Sequence, residues 1–265
     1  RAIAGGDNAL RVSDRIASRR DEVGALATAF NAMTQQLCSL LDRQTHLLRD
    51  ISHDLRTPLT RQRIAIELAS DGSVDADLLA SILRQNERLE AMTSQILTLY
   101  RVSEQGGDIE REAVQPVVVI NDVLRDAADY AEHRGVDCQL LVDEGCRNTS
   151  LLGDRGLIQR ALDNVLQNAL DHTPPGKNVH VALRCDQRHL LVEIRDEGPG
   201  VPEDVLPHLF EPFYRADKSR GGKGWGLGLA IARDIVAIHD GRIEALNGEP
   251  GGLMVVLRFP LFTSG

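Results

Sequence analysis

The chain has 265 residues, 42% hydrophobic and 26% charged, which suits one large folded domain or two to three small ones. Its formal net charge of -9 argues against a broad electrostatic footprint for nucleic acid, so an anionic ligand must be held by a local cluster. Four cysteines (Cys38, Cys138, Cys146, Cys185) make no CxxC pair and no Cys/His ligand spacing, which leaves a zinc site or a disulfide framework without support and fits a reducing compartment.

In chain order, the first pattern is a heptad seam. Val23, Leu26, Phe30, Met33, Leu37, Leu40, Leu47 and Ile51 recur by threes and fours, with only Gln44 interrupting, as in a helix packed along a parallel partner. Asp54 and Pro58 would be the next seam positions and neither suits a coiled-coil core, so the register moves to Leu55 and Leu59. At that break stands His53, two residues from both Ile51 and Leu55, which at 100° per residue points it off the apolar stripe and into solvent. Thr57 lies one turn further on the same face, and Pro58 lacks an N–H and crowds the carbonyl of residue 54, costing about 3 kcal/mol in a helix interior. A kink just after His53 is expected. An exposed neutral imidazole is a competent nucleophile, and the flanking Asp54 carboxylate can hold its tautomer and accept its proton.

A turn at Asp71-Gly72-Ser73 leads to a second seam through Leu78, Ile82, Gln85, Leu89, Met92, Ile96 and Leu99. Two such helices form an antiparallel hairpin, and because neither buries its stripe alone, two hairpins should pair into a four-helix bundle. Periodicity is lost over 101–116, which reads as a linker. Beyond it, helix-like segments (118–133, 155–171, 227–239) interleave with strand-like ones (137–143, 178–184, 189–196, 242–246, 253–259), giving an α/β sandwich with one layer of each. The segment 197–226, rich in Gly, Pro and charge, is long enough to be a lid.

Three segments of this half suit a nucleotide. Asn164 and Asn168 are one helical turn apart, and two neutral oxygens suit Mg²⁺, which keeps waters and phosphates in its shell. Asp196-Glu197-Gly198-Pro199-Gly200 follows an apolar strand; a strand-end carboxylate accepts from an exocyclic amine, and the glycines admit a flat ring. Gly224-Trp225-Gly226-Leu227-Gly228 opens a helix, where glycines make sense if backbone N–H groups must face phosphate. Neither a Rossmann fingerprint nor a Walker A loop is present. Arg215, Lys218, Arg220 and Lys223 gather in the lid of an otherwise acidic chain, beside Phe210, Phe213, Tyr214 and Trp225.

Taken together, these strings resemble the sensor histidine kinases: Ser52-His53-Asp54-Leu55-Arg56-Thr57-Pro58-Leu59 is similar to their H-box, the Asn164/Asn168 segment to the N-box, Asp196–Gly200 to the G1 box, Phe210–Arg215 to the F-box and Gly224–Gly228 to the G2 box. The resemblance implies that His53 is phosphorylated from ATP, that Asp54 acts as general base, and that Thr57 positions water in a reverse phosphatase reaction. It further implies that Asn168, with Asn164, holds Mg²⁺, that Asp196 reads adenine, and that Gly198, Gly200, Gly226, Leu227 and Gly228 line the nucleotide. Arg215, Lys223, Gly224 and His172 are implied nucleotide contacts as well. Residues 1–40 resemble the later part of a HAMP relay module, with Asp21-Glu22-Val23-Gly24 as its signature. By the same resemblance 41–104 is the dimerisation and phosphotransfer domain, 105–116 a linker, and 117–262 a Bergerat-type ATP-binding domain of the GHKL superfamily. One departure stands out: Asp171 occupies a site where many relatives carry a phosphate-touching base.

The partners so implied are a second copy of the chain and the receiver domain of a response regulator, with no nucleic acid. The implied setting is the cytoplasmic side of a bacterial inner membrane, reached through an N-terminal part not in this sequence, since no run of about 18 apolar residues occurs. A clamp ATPase of the gyrase or heat-shock type needs a water-activating carboxylate where this chain has Asn164. A phosphatase-biased or non-catalytic dimeric ATP-binding scaffold is the remaining alternative.

Overall fold

The computed structural model describes residues 12, 19, 21–35, 59–60, 63–64, 82–83, 86, 89–98, 109–186, 188–215, 225–248 and 251–261. His53, Asp54, Thr57, Lys223 and Gly224 lie outside the described residues, as do the predicted turn at Gly72 and most of the first seam. The chain divides into two compact units, Arg1–Ser81 and Ile82–Gly265.

In the first unit a helix runs over 22–35. Asp21 caps it, its Oδ1 accepting the Gly24 N–H at 3.1 Å, and the Arg19 guanidinium beside it holds the Asp21 carboxyl below the usual carboxylate range. The Asn31 amide bonds both backbone groups of Val12, accepting its N–H at 2.8 Å and donating to its carbonyl at 2.9 Å. The described part of the predicted seam is not covered within one chain: Leu26 is 71% and Met33 66% exposed, and Val23 and Phe30 are exposed too.

In the second unit a helix over 89–98 keeps the expected stripe, with Met92 fully buried and Leu89 and Ile96 half-buried between exposed neighbours. Arg160 donates to its Ser94 carbonyl at 3.2 Å. The remainder is a two-layer α/β sandwich. Its strands are β1 (Glu112–Val114), β2 (Asp137–Val142), β3 (Leu151–Gly153), β4 (Asn178–Cys185), β5 (His189–Arg195), β6 (Arg242–Asn247) and β7 (Leu253–Pro260). Its helices are α1 (Pro116–Asp126), α2 (Ala128–Arg134), α3 (Arg155–His172) and α4 (Gly228–Ile238). The main sheet has the order β2-β4-β5-β7-β6, with β2 and β4 parallel and the other pairs antiparallel.

Alternation puts Val179, Val181 and Leu183 of β4, Leu190, Val192 and Ile194 of β5, and Val255, Leu257 and Phe259 of β7 on one buried face. Against it lie Ile120 and Val123 of α1, Leu162, Leu166 and Leu170 of α3, and Ile231 and Ile235 of α4, all buried. At about 25 cal/mol per Å² this shared apolar layer is the main favourable term of the domain. Asp154 caps α3 by accepting the Leu157 N–H at 3.0 Å, and Gly135 closes α2 in the left-handed conformation. Among the described residues no helix is long and apolar enough to cross a membrane.

Three expectations change. The helix expected over 118–133 is two helices broken at Ala127. The expected linker 105–116 ends in β1, which pairs antiparallel with β3 from Glu112↔Gly153 to Val114↔Leu151. Arg111 ties that segment to the end of α4 through Asp240 Oδ2 at 2.8 Å and the Ile238 carbonyl at 2.9 Å. Third, Cys146 and Cys185 form a disulfide, with Cα atoms 5.5 Å apart and a separation of 39 positions in sequence. The Asp143 N–H bonds the Leu183 carbonyl at 3.0 Å and so swings the Glu144–Cys146 turn onto the end of β4, a juxtaposition that cysteine spacing does not encode. Cys138 is free.

His239, at the end of α4, is buried with both ring nitrogens committed: Nδ1 donates to the Ile235 carbonyl at 2.7 Å and Nε2 accepts the Asp154 N–H at 3.0 Å. Only the neutral imidazole satisfies both bonds. Burial, aided by the Arg111 charge, pushes its pKa below the ordinary 6.5. The unfolded chain therefore binds the proton more readily, and the stability His239 contributes is present above about pH 6.5 and lost as pH falls below it. His239→Gln should cost about 1–3 kcal/mol at pH 7.5 and make thermal melting less sensitive to acid between about pH 6.5 and 5 than in the wild type. Parallel melting curves that keep the wild-type acid slope would refute this.

Candidate nucleotide site

The site forms where the end of β5, the middle of α3 and the start of α4 meet. Asp196 directly follows β5 and is 3% exposed. Its Oδ1 accepts two backbone N–H groups, from Gly198 at 2.8 Å and Leu253 at 3.1 Å, while its own N–H donates to the Leu253 carbonyl at 3.0 Å. These bonds hold the carboxylate rigid without using Oδ2. Burial pushes the Asp196 carboxyl up, against the pull of its two N–H donors and the nearby His172. Such a group is matched to a neutral donor such as an aromatic amine.

Three glycines keep the space around it open. A Cβ on Gly198 would strike the His172 carbonyl and Asp196 Oδ1, and one on Gly252 would strike the Asp196 carbonyl. Gly200 has φ 70°, a conformation other residues adopt only with strain. The exposed His172 is thereby brought beside the Asp196 loop.

Asn164 and Asn168 sit half-buried on one face of α3. Asn164 Nδ2 is buried and has no hydrogen-bond partner, a costly state unless a ligand completes it. A Cβ on Gly228 would lie 3.6 Å from Asn164 Oδ1, so α3 and the first residue of α4 line one space. No side chain caps α4, and its leading N–H groups start from Gly226 (φ 70°) and the fully buried Leu227. Those orphan donors and the helix dipole favour a phosphate there. Among the described residues no group of three or more His, Cys, Asp or Glu is placed to hold a metal. The chemistry of the neutral Asn164 and Asn168 amides fits a Mg²⁺ that keeps phosphate and water oxygens in its shell.

The base of the lid is strapped. The Phe213 N–H donates to the Gly226 carbonyl at 2.9 Å, with Phe213 itself at φ 62°, and Arg233 on α4 donates to the Phe210 carbonyl at 2.9 Å. Arg215 follows, half-buried. Asp171 is engaged by Tyr130, whose hydroxyl donates to Oδ1 at 2.5 Å, and this carboxylate together with burial pushes the Tyr130 phenol up to about 12. Arg134 meanwhile donates to the Leu170 and Asp171 carbonyls at the end of α3. Composition and spacing did not point to Arg233, which ties the Phe210 loop to α4, or to Asn247 and the pair of His180 and Glu197 (2.8 Å), which tie these loops to the sheet. For Asn247 the only available signal was a polar residue ending an alternating strand.

A helix-and-sheet sandwich with a buried carboxylate, paired asparagines and a glycine-opened helix start is an ATP-binding domain of the GHKL type. Residues 153–263 match the family of histidine kinase-, DNA gyrase B- and HSP90-like ATPases, 43–105 the His Kinase A (phospho-acceptor) domain, and 1–39 the HAMP domain. The chain is 34% identical over 244 residues to the sensor histidine kinase CusS of Escherichia coli O157:H7, covering 89% of this chain and 49% of CusS. It is 31% identical over 255 residues to CpxA of Escherichia coli K12, covering 96% and 55%. The histidine kinase AdeS of Acinetobacter baumannii superposes with a TM-score of 0.66 at 25% identity, over 80% of this chain and 98% of the AdeS chain. The chain thus belongs to the sensor histidine kinases of two-component signalling, and spans about half the length of the curated relatives it matches.

Asp196→Asn tests the adenine assignment cleanly. Asparagine keeps an Oδ1 for the Gly198 and Leu253 N–H groups but replaces Oδ2 by a donor facing a donor. ADP affinity, measured calorimetrically, should fall about 10- to 100-fold, the range for a hydrogen bond to a charged group, with folding preserved. Unchanged affinity would remove Asp196 from the site.

Proposed function

We propose that this chain phosphorylates itself on His53 from ATP and passes the phosphoryl group to an aspartate on the receiver domain of a response regulator. The observation that supports it most directly is the convergence of Asp196, the orphaned Asn164 amide and the uncapped start of α4 on one end of the sheet. That arrangement fits adenine at one end and phosphates at the other.

Asp196 and the glycines around it fix the ring, Asn164 and Asn168 hold Mg²⁺, and the leading N–H groups of α4 with Arg215 and Lys223 steady the phosphates. When bound, Mg²⁺ supplies charge neutralisation on the phosphate oxygens. The unprotonated imidazole nitrogen of His53 attacks the γ-phosphorus in line; the proton on the other ring nitrogen moves toward Asp54, and the bond from the γ-phosphorus to the β-phosphate oxygen breaks to leave ADP. Thr57 places water for the reverse, phosphatase reaction. This reading divides the chain into a HAMP part (1–40), a dimerisation and phosphotransfer part (41–104), a linker (105–116, its last residues taken up by β1) and the ATP-binding domain (117–262). The exposed stripe of Val23, Leu26, Phe30 and Met33 supports a homodimer whose second copy covers it. The chain is then the cytoplasmic portion of a bacterial inner-membrane protein, its membrane segment lying upstream.

Incubation with γ-³²P-ATP and Mg²⁺ should give an acid-labile, alkali-stable label that is absent from His53→Gln. Label persisting in that variant would move the acceptor elsewhere. No label in the wild type, with ATP still bound, would favour a phosphatase or scaffold. Pro58→Ala should straighten the helix and change the ratio of autophosphorylation to regulator dephosphorylation by several-fold; a constant ratio would exclude the hinge.

A further inference from the structure

The loop from Asp196 to Val201 is held at both ends by the β6–β7 hairpin. At its start, Leu253 of β7 exchanges two bonds with Asp196, one to the backbone N–H and one to Oδ1. At its far end the side chain of Asn247, the last residue of β6, bonds both backbone groups of Val201. Its Oδ1 accepts the Val201 N–H at 3.0 Å and its Nδ2 donates to the Val201 carbonyl at 2.7 Å. Asn247 and Leu253 are direct partners across the hairpin, so one strand pair sets both anchor points. The Gly248 N–H bonds the Gly252 carbonyl at 2.9 Å just beyond them and fixes their spacing. Gly200 lies against the clamp, where a Cβ would come within 2.9 Å of Asn247 Oδ1.

The amide of Asn247 therefore acts as a one-residue strand, offering an acceptor and a donor in the spacing of a peptide group. Between the two anchors lie Gly198 and Gly200, the residues that keep the ring space open, and beyond Val201 the chain runs on to the lid. We propose that Asn247 is a positioning residue for ATP. It sets the span of the loop opposite the Asp196 carboxylate and so the width of the slot that takes the adenine. It touches no reacting atom, so its effect falls on ATP binding and leaves the transfer step alone. This rests on the nucleotide reading of Asp196.

The test uses the full chain, with initial rates of autophosphorylation measured against ATP concentration for wild type, Asn247→Ala and Asn247→Asp, together with the melting temperature of each without nucleotide. Losing both bonds should raise the KM for ATP roughly 5- to 20-fold in the alanine variant while kcat stays within about twofold. Aspartate keeps the acceptor and loses the donor, so it should recover little of the affinity. A merely structural role would lower the melting temperature and leave KM unchanged, which overturns the proposal, as does a fall in kcat at constant KM. ADP titration of the wild type separates the two levels. Wild type that binds ADP alongside an unaffected Asn247→Ala refutes the role of Asn247 alone, whereas wild type that binds none refutes the nucleotide reading and this proposal with it.

Discussion

The ATP-binding domain depends on how one buried carboxylate is satisfied. Asp196 is 3% exposed, and an ionised carboxylate at such a depth is costly unless hydrogen bonds converge on it. The bonds come from the Gly198 N–H, two residues along its own loop, and from Leu253 on a strand 57 residues later. β7 must therefore lie beside β5 in the register observed, since one residue of slip would turn the inward face of β7 outward and carry the Leu253 N–H away. Core packing and site geometry are thus two results of one strand register.

The same economy governs the helices. α3 buries Leu162, Val165, Leu166, Ala169 and Leu170 and leaves Asn164 and Asn168 on its flank, with Asn164 beside the first residue of α4. Gly228 meets Asn164 there, Gly226 packs against the backbone of Phe213 and Tyr214, and Leu227 between them is fully buried, anchoring the helix start to the core. At the opposite end of α4, His239 and Arg111 bind the helix to β3 and to the segment before β1. The residues leading into the sandwich are consequently integral to its wall.

Much of this was legible in the sequence, for physical reasons. Asn164, Asn168, Asp196 and the alternate glycines carried little signal one by one and stood out as short strings that together resemble the motifs of one family. The five strands of the main sheet were legible from alternation. What stayed hidden depends on contacts between distant parts of the chain. The short pair β1 and β3 has no room for a periodic pattern, and Cys146 meets Cys185 only because a turn folds against the end of β4. Asn247 and the Tyr130–Asp171 bond depend on which loop a strand or helix end happens to face. The first heptad seam was readable as a stripe, but that it stands open in a single chain emerges only from its exposure.

The strap between Phe213 and Gly226 has a bearing on how this family diversifies. With those two residues joined by a backbone bond, the entropy of bringing the ends of the intervening segment together is settled at its base. Each doubling in the length of that segment then costs only about 0.6 kcal/mol. Insertions and deletions between 213 and 226 are cheap, and they leave Asp196, Asn164 and the start of α4 where they were. Length and sequence between those two residues are thus free to drift while the pocket framed by Asp196, Asn164 and the start of α4 is inherited intact.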